Sequence, residues 1–430
     1  MSKIFGLDFG TSNSSLSLNN NHNISLVDID PLSPTATILK SVLYFDEDEK
    51  EFLIGQRAID TYIENDAYGR YVQSIKSFLP SRTPVRTVIG GKTFELDQLI
   101  AIIIRKIKES AENKIGAEVN DVVLGRPVIF SEDKEIDKEA ENRLISAAKI
   151  AGFKNIHLQF EPIAAALSYE ATLAKGEEKL VLVGDFGGGT SDFTIIKLHG
   201  SHKTTTRKRN DDILANGGVY IGGNDFDSQI MWDKITQYYG RGLKLHSMTS
   251  KMTGGKANDP FPQTILKQLC QWHSIPTLRT PKKLEYFNSL KYLSDNSACI
   301  DNIVNLVEDN YGYMLFREIE KAKCHLSQHE QTKILFKSHD LLIDERISQA
   351  DFAIMINEKV SSIKKSINSI LKKACLKPSN IDTVFLTGGS SYIPSLRNYF
   401  IKEFGAASLR QTNVFTSVAH GLSYHGNRFI

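Results

Sequence analysis

The sequence predicts an α/β protein built from two related halves. Two segments, Ile4–Ser12 and Leu180–Ser191, carry the same order of residues: an apolar strand, then Asp-Phe-Gly, then threonine and serine hydroxyls. Between them, apolar residues recur at helical spacing over Leu96–Ile115, and a second helix is expected over Ala140–Gly152. A repeat at this separation suggests two lobes, each contributing one loop to a shared cleft.

The second repeat has the composition of an anion-binding turn. Gly187, Gly188 and Gly189 let the backbone pass close to a bulky anion and point its N–H groups at it. Asp185 and Asp192 flank the turn. Carboxylates do not bind phosphate directly, but they can hold Mg²⁺ or its waters beside one. A plain glycine-rich hairpin with surface aspartates is the alternative interpretation.

Two common nucleotide-binding motifs do not describe this turn. No Gly-Lys-Ser/Thr follows it, which excludes a Walker loop. Phe193 begins a strand where a dinucleotide-binding fingerprint requires a helix. The turn is therefore neither a Walker loop nor a dinucleotide-binding fingerprint.

A third segment completes the pattern. Thr383–Thr387 is predicted to be a strand, and it ends in the glycine pair Gly388–Gly389 followed by Ser390. A flat base or ribose can lie against such bare backbone. Two acidic hairpin loops followed by a late Leu-Thr-Gly-Gly-Ser resemble the actin-like ATPase superfamily, which includes sugar kinases, actin and the DnaK-type heat-shock ATPases.

Composition points to a soluble cytoplasmic protein. The chain has 430 residues, 41% of them hydrophobic, and a net charge of +2, so neither nucleic acid nor a membrane is expected as a partner. The basic run at 203–209 contains no aromatic residue for base stacking. The apolar run Leu99–Ile104 is too short to span a bilayer.

The four cysteines have no paired spacing, which suits reduced thiols in a cytosol. Cys270 and His273 have the spacing of half a zinc site. No second half accompanies them, so a structural zinc ion is not expected there.

Further segments narrow the resemblance to the DnaK (seventy-kilodalton heat-shock) family. They are Gln73–Leu79 around Lys76, the Glu-Pro-Ile-Ala-Ala-Ala-Leu run from Glu161, the Gly-Gly-Asn-Asp-Phe-Asp run from Gly222, and the Glu-Lys-Ala-Lys run from Glu320. The resemblance covers nearly the whole chain and lapses at about 236–300. The short sequences Leu-Gly-Arg-Pro, Lys-Ser-Phe-Leu and Leu-Thr-Gly-Gly-Ser resemble those of short YegD-type members of the family.

The resemblance implies an actin-like, ribonuclease H-like fold with two lobes around an ATP·Mg²⁺ cleft. Lobe I would cover 1–178, with 411–430 packing back on it. Lobe II would cover 179–410, including a divergent subdomain at about 226–312. No substrate-binding domain is expected within the chain.

The same resemblance implies roles for individual residues. Asp8 and Asp185 would hold Mg²⁺ through waters, while Lys76, Glu161 and Thr190 would place the attacking water. The remaining contacts would be made to the nucleotide. For the phosphates they are Gly10, Thr11, Ser12, Asn13, Gly187, Gly188, Gly189 and Thr190, and for adenosine Gly222, Gly223, Glu320, Lys323, Ser327, Gly388, Gly389, Ser390 and Tyr392.

Several of these residues have simpler interpretations. Lys76 could be a solvated surface lysine, and Glu161 could only complement the N-terminus of its helix. Glu320 and Lys323 could form a surface ion pair at helical spacing. Tyr392 stands where the family typically has an arginine that stacks on adenine, so it could also stack, or it could alter base affinity.

Three functions remain open at this stage. The favoured one is a slow ATPase that binds ATP and ADP and signals to protein partners or co-chaperones through lobe closure. A small-molecule, sugar-type kinase and a filament-forming actin-like protein are the alternatives. A protein that binds nucleotide without hydrolysing it is a fourth possibility, which the presence of Lys76, Glu161, Asp8 and Asp185 disfavours.

Overall fold

The computed structural model describes residues 3–200, 212–411 and 416–430. The basic run at 203–209 lies outside these residues. The described chain divides into two compact units, the first comprising Met1–Gly223 and Lys359–Ile430 and the second Asn224–Glu358. No helix among the described residues is long and apolar enough to cross a membrane.

The strands of the described residues are numbered here in chain order. They are β1 (Lys3–Phe9), β2 (Asn13–Asn20), β3 (Asn23–Val27), β4 (Ile38–Lys40), β5 (Val42–Asp46), β6 (Glu51–Ile54), β7 (Arg70–Gln73), β8 (Arg86–Ile89), β9 (Lys92–Glu95), β10 (Asp121–Arg126), β11 (Asn155–Phe160), β12 (Glu178–Phe186), β13 (Ser191–His199), β14 (Ile213–Val219), β15 (Lys244–Leu245), β16 (Asp259–Pro260), β17 (Gln331–Ser338), β18 (Leu341–Ser348), β19 (Thr383–Thr387) and β20 (Leu409–Gln411).

The α-helices follow the same order. They are α1 (Gly55–Glu64), α2 (Leu96–Ile115), α3 (Lys134–Ile150), α4 (Glu161–Glu170), α5 (Gly223–Ile230), α6 (Met248–Thr253), α7 (Gln263–Leu269), α8 (Pro281–Leu293), α9 (Ala298–Glu308), α10 (Gly312–His325), α11 (Gln349–Met355), α12 (Asn357–Lys373), α13 (Pro394–Phe404) and α14 (Ser417–Gly426).

The predicted repeat is present as two sheets of the same plan within the first unit. In one, β1 pairs antiparallel with β2 and parallel with β10, and β10 pairs parallel with β11. In the other, β12 pairs antiparallel with β13 and parallel with β19, and β19 pairs parallel with β20. Each sheet thus combines an acidic hairpin with two parallel strands. Because strands and helices alternate along the chain, the protein belongs to the α/β class.

Helix boundaries follow local capping. The prediction for α2 over Leu96–Ile115 is confirmed, with a capping box between Glu95 and Gln98 at its start and Gly116 in the left-handed region (φ 65°) at its end. The expected start of the next helix at Ala140 is wrong. The carboxylate of Asp133 accepts from the N–H groups of Glu135 and Ile136, so α3 begins at Lys134.

The two sheets are joined by a core around α4 and α14. Ile4 and Val123 from the first sheet, Val181 and Val183 from the second, and Ala164–Ala166 of α4 belong to one buried cluster. The small residues of α4 allow a close approach to α14: a Cβ atom on Gly421 would lie 1.7 Å from the carbonyl oxygen of Ala164. The helices therefore touch backbone to backbone at Gly421.

The second unit is mainly helical, with the hairpin β17–β18 beside α10. Both tryptophans of the chain, Trp232 and Trp272, lie in this unit. The guanidinium of Arg241 lies 5.1 Å from the ring centroid of Trp232. Trp272 is 9% exposed and begins a short 3₁₀ segment. The region at about 236–300, where the family resemblance lapses, contains the elements β15 to α8.

The contact at Gly421 gives a test of the fold. Alanine has a higher helix propensity than glycine by about 1 kcal/mol, so Gly421→Ala would stabilise α14 in the absence of other effects. We expect instead a loss of about 2 kcal/mol or more in the free energy of unfolding, because the methyl group collides with α4. Denaturant unfolding measures the difference.

Gly426→Ala, in the same helix, is the matched control. A Cβ there would meet the side chain of Ile4 at 2.8 Å, and a side chain can move aside more easily than a backbone carbonyl. Equal losses for both variants would show that the α4–α14 contact carries no special constraint.

Candidate functional site: two acidic hairpins and a buried ion pair

The turn after β1 forms the first loop of the candidate site. Asp8 lies opposite Ser15 and Phe9 opposite Ser14 in the β1–β2 ladder, so Gly10–Ser12 form the turn between the strands. The N–H of Ser41 donates to the carbonyl oxygen of Ser12 at 3.0 Å, which anchors the turn to the following segment. The Thr11 and Ser12 side chains remain partly exposed at the end of the sheet.

The turn after β12 forms the second loop. Asp185 lies opposite Asp192, and the N–H of Gly187 donates to the carbonyl oxygen of Thr190 at 3.0 Å across the turn. The side chain of Thr190 also donates a hydrogen bond to the Asp192 carboxylate. Both aspartates therefore lie at the base of a four-residue glycine-rich turn, as the sequence predicts.

The two loops meet. A Cβ atom on Gly188 would lie 2.3 Å from the hydroxyl oxygen of Ser12, and one on Gly189 would lie 3.8 Å from the hydroxyl oxygen of Thr11. No side chain fits at Gly188 without displacing Ser12. The structure thus brings together the hydroxyls of the first loop and the bare backbone of the second.

Two further glycine segments pack against the second loop. A Cβ on Gly222 would lie 2.5 Å from the carbonyl oxygen of Gly188, and the N–H of Gly223 donates to the carbonyl oxygen of Gly187 at 3.0 Å. Gly388 has a φ of +80°, and a Cβ there would lie 2.1 Å from the carbonyl oxygen of Phe186. Only glycine adopts this positive φ readily and leaves room for the carbonyl of Phe186. Gly389 to Tyr392 continue as a 3₁₀ turn, in which Ser390 is buried and Tyr392 is 41% exposed.

Lys76 and Glu161 form a buried ion pair beside these loops. Lys76 lies in a 3₁₀ turn, Ile75–Phe78, and Glu161 is the first residue of α4. The Nζ atom of Lys76 lies 2.6 Å from Oε1 of Glu161, and the two residues are only 7% and 8% exposed. The interpretation of Lys76 as a solvated surface lysine is therefore wrong, because Glu161 and the surrounding chain remove it from water.

Three aspartates share the electrostatic environment of this pair. Burial and the charge of Glu161 raise the pKa of Asp8 to about 7, against the pull of Lys76. Burial and Glu161 likewise raise the pKa of Asp192 to about 7. Burial, Glu161 and Asp8 raise the pKa of Asp185 well above its usual range. The site thus has more buried negative charge than a single ammonium can balance.

Lys76 remains the cation of the cluster. Burial lowers the pKa of its ammonium group, but the carboxylates of Glu161 and Asp8 raise it by more, so the net pKa lies above the ordinary value. Lys76 is therefore charged at neutral pH. An ammonium held among carboxylates is fixed in position, which suits a group that must stabilise charge developing on a substrate.

The grouping of the acidic side chains bears on metal binding. In the described part of the chain, no three His, Cys, Asp or Glu side chains are grouped so that they could hold a metal ion directly. Burial and the charge of Glu161 raise the pKa values of Asp8 and Asp185, and a nearby dication would lower them. Water-mediated binding of Mg²⁺ by these two residues remains a prediction.

The residues predicted to contact adenosine fall into both units. Gly222, Gly223, Gly388, Gly389, Ser390 and Tyr392 belong to the first unit, whereas Glu320, Lys323 and Ser327 belong to the second. Within the second unit, Nζ of Lys323 lies 2.7 Å from Oδ2 of Asp227 on α5, and both side chains are nearly buried. Ser327 lies beyond the end of α10 at His325, and its N–H closes a tighter turn onto the carbonyl of Cys324.

The sequence indicates that Asp192, beside the turn, could hold Mg²⁺ or its waters, but the family resemblance assigned it no role. Its position opposite Asp185 in the β12–β13 ladder and its contact with Thr190 place it in the acidic cluster.

Comparison with known proteins agrees with this geometry. A family model described as "Hsp70 protein" matches residues 4–256 and 298–427. The chain belongs to the Hsp70 family. That membership implies the actin-like ATPase fold, in agreement with the mixed α/β structure and its two related sheets. The unmatched interval, 257–297, lies inside the region of about 236–300 where the sequence resemblance lapses.

Two curated relatives are bacterial chaperones. The chain is 26% identical over 426 residues to "Chaperone protein DnaK" of Thermosipho melanesiensis, and 26% identical over 426 residues to the protein of the same name from Thermosipho africanus. Each alignment covers 97% of this chain but 58% of the relative. The chain thus spans a little more than half the length of these DnaK proteins.

The raised carboxylate pKa values predict how the stability of the metal-free protein depends on pH. Asp8 and Asp192 have folded-state pKa values of about 7, above the ordinary value of 3.8, so between these pH values the folded protein holds more protons than the unfolded chain. The free energy of unfolding must then fall as pH rises from about 4 to about 7, by up to about 1.4 kcal/mol per pH unit for each group. Unfolding by denaturant in a chelating buffer at several pH values measures this slope.

Glu161→Gln is expected to flatten that slope, because the charge of Glu161 helps to raise all three aspartate pKa values. The variant also breaks the ion pair with Lys76 and lowers overall stability, so the slope and not the midpoint is the diagnostic quantity. Glu118→Gln, which removes an exposed carboxylate of the first unit, is the control. A slope in Glu161→Gln equal to that of the control would disprove coupling among the four carboxylates.

Proposed function

We propose that the protein binds ATP and Mg²⁺, hydrolyses ATP slowly, and acts as a chaperone-type molecular switch. The observation that supports this best is the meeting of two acidic, glycine-rich hairpins beside the buried Lys76–Glu161 pair. Membership in the Hsp70 family and the similarity to DnaK proteins support the same activity.

The phosphates are proposed to lie between the two hairpin turns. Gly10, Thr11, Ser12 and Asn13 would line one side, and Gly187, Gly188, Gly189 and Thr190 the other. The closeness of Gly188 to the hydroxyl oxygen of Ser12 supports this arrangement, since it brings the two turns next to each other. Asp8 and Asp185 would hold Mg²⁺ through waters, and the ion would neutralise charge on the phosphate oxygens.

Hydrolysis is proposed to depend on position and electrostatics, without a covalent intermediate. Glu161 and Thr190 would orient the attacking water, and Lys76 would stabilise the charge that develops on the transferred phosphoryl group. The ion pair with Glu161 supports the role of Lys76, because it holds the ammonium in one place before nucleotide arrives.

The nucleoside is proposed to contact Gly222, Gly223, Gly388, Gly389 and Ser390 through bare backbone, with Tyr392 available for stacking. Glu320, Lys323 and Ser327 would bind the ribose and adenine. Packing of Gly222 and Gly388 against the second phosphate loop supports the first group. The burial of Lys323 beside Asp227 supports the second group of contacts, because it argues against a solvated ion pair at the surface.

The output is proposed to be closure of two lobes, 1–178 and 179–410, around the nucleotide, sensed by protein partners. A cytoplasmic location is part of this proposal, supported by four cysteines that form no disulfide with one another. The sugar-type kinase and the filament-forming protein are less well supported, because the family model that matches is that of Hsp70 proteins.

Single-turnover hydrolysis of radiolabelled ATP tests the catalytic assignment. We expect slow hydrolysis by the wild-type protein and rates at least about tenfold lower for Lys76→Ala and for Thr190→Ala, because each variant removes a group that stabilises or positions the reacting atoms. Nucleotide affinity should change little. Lys92→Ala and Thr87→Ala, in the β8–β9 hairpin, are controls of the same residue types. Wild-type binding without hydrolysis would contradict the assignment and leave a nucleotide sensor.

Equilibrium binding of ATP tests the adenosine contact. We expect Lys323→Ala to weaken ATP binding about tenfold, the effect of losing one hydrogen bond from a charged group. Lys321→Ala is the matched control, since Lys321 lies on the same helix but is exposed and pairs with Glu318. Circular dichroism should confirm that both variants are folded, because Lys323→Ala leaves Asp227 without its ion-pair partner. Equal affinities for the two variants would rule out a role for Lys323.

A further inference from the structure

Arg126 is a buried arginine at the end of β10, immediately before Pro127, and it is 7% exposed. Its Nη2 atom donates to the carboxylate of Asp137, at 3.0 Å from Oδ2, and its Nη1 atom donates to Glu141. Both acids lie on α3. Their charges balance the guanidinium, so a buried cation is tolerated at this position.

The same guanidinium also holds backbone and aromatic groups. Its Nε atom donates to the carbonyl oxygen of Pro127 at 3.0 Å, and Nη2 lies 3.4 Å from the carbonyl oxygen of Val128. Its Cζ atom lies 4.9 Å from the ring centroid of Phe130 and 5.2 Å from that of Phe160. A planar group with five N–H donors can make these contacts at once, whereas a lysine ammonium cannot.

Two of these neighbours lead directly to the acidic cluster. The N–H of Val128 donates to Oδ1 of Asp192 at 3.2 Å. Phe160 is the residue before Glu161, and Glu161 pairs with Lys76. Arg126 is therefore connected to Asp192 through Val128, and to Glu161 through the preceding residue, Phe160.

We propose that Arg126 is a positioning residue for the hydrolysis described above, a role that rests on the proposed function. By fixing the Pro127–Val128 backbone and the Phe160 ring, Arg126 holds Asp192 and Glu161 in a constant relation to each other. It touches neither carboxylate and takes no part in the chemistry. Its effect is on the geometry of the groups that orient water beside the phosphate.

Arg126→Lys separates this role from simple charge balance. Lysine preserves the positive charge facing Asp137 and Glu141 but loses the planar fork that binds the carbonyl of Pro127 and covers the two rings. Arg105→Lys is the control: Arg105 donates to the carbonyl oxygen of Ile150 in the same unit, in a more exposed position. Thermal unfolding establishes that both variants are folded at the assay temperature.

The experiment combines single-turnover hydrolysis, ATP affinity and hydrogen exchange of the segment 126–131 in the protein. For Arg126→Lys we expect a hydrolysis rate at least about tenfold lower, an ATP dissociation constant within about twofold of wild type, and faster exchange at 126–131. The control should match wild type in all three. Such a split between rate and affinity is not produced by a role in folding alone.

A wild-type rate in Arg126→Lys would overturn the proposal, with or without a change in exchange, because positive charge alone would then suffice. A loss of ATP affinity equal to the loss of rate would also overturn it, since Arg126 would then act on binding. If the wild-type protein does not hydrolyse ATP, the proposed function fails. Exchange at 126–131 then decides separately whether Arg126 holds the backbone that contacts Asp192.

Discussion

The burial of four carboxylates close to one another is the constraint on which the candidate site depends. Burial and the charge of Glu161 raise the pKa values of Asp8, Asp185 and Asp192, while the ammonium of Lys76 lowers them. Folding brings these groups together at an electrostatic cost, which the ion pair between Lys76 and Glu161 offsets only in part. Such a cost is commonly found where a protein binds a cation or a charged ligand.

Strands and turns from distant parts of the chain hold these carboxylates in place. Asp8 and Asp185 occupy matching places near the ends of β1 and β12, where each pairs with a residue of an antiparallel partner strand. Asp185 also pairs with Thr387 of the parallel strand β19. Glu161 begins a helix whose small residues pack closely on α14, so its position is tied to the core between the two sheets. Glycine is needed where these elements approach one another, as Gly388 beside Phe186 demonstrates. The site is thus a product of packing as much as of the motifs.

Much of this arrangement could be predicted from the sequence, because its parts are local. An apolar strand followed by Asp-Phe-Gly and hydroxyls identifies both hairpins, and the caps of α2 are visible in Glu95, Gln98 and Gly116. The remainder depends on contacts between distant residues. Predicting that Asp192 lies in the cluster requires the register of β13 against β12. Predicting a role for Arg126 requires the fold as well, because α3 brings Asp137 to its guanidinium. The family match supports the overall assignment, while the individual roles still require the experiments above.

The distribution of tryptophan has a practical consequence for spectroscopy. Trp232 and Trp272 both lie in the second unit, so the first unit, with its acidic hairpins, contributes no tryptophan emission of its own. Intrinsic fluorescence excited at the red edge therefore reports the surroundings of the second unit directly. A tryptophan introduced at exposed Tyr392 would give the first unit a signal of its own and separate the optical responses of the two parts of the molecule.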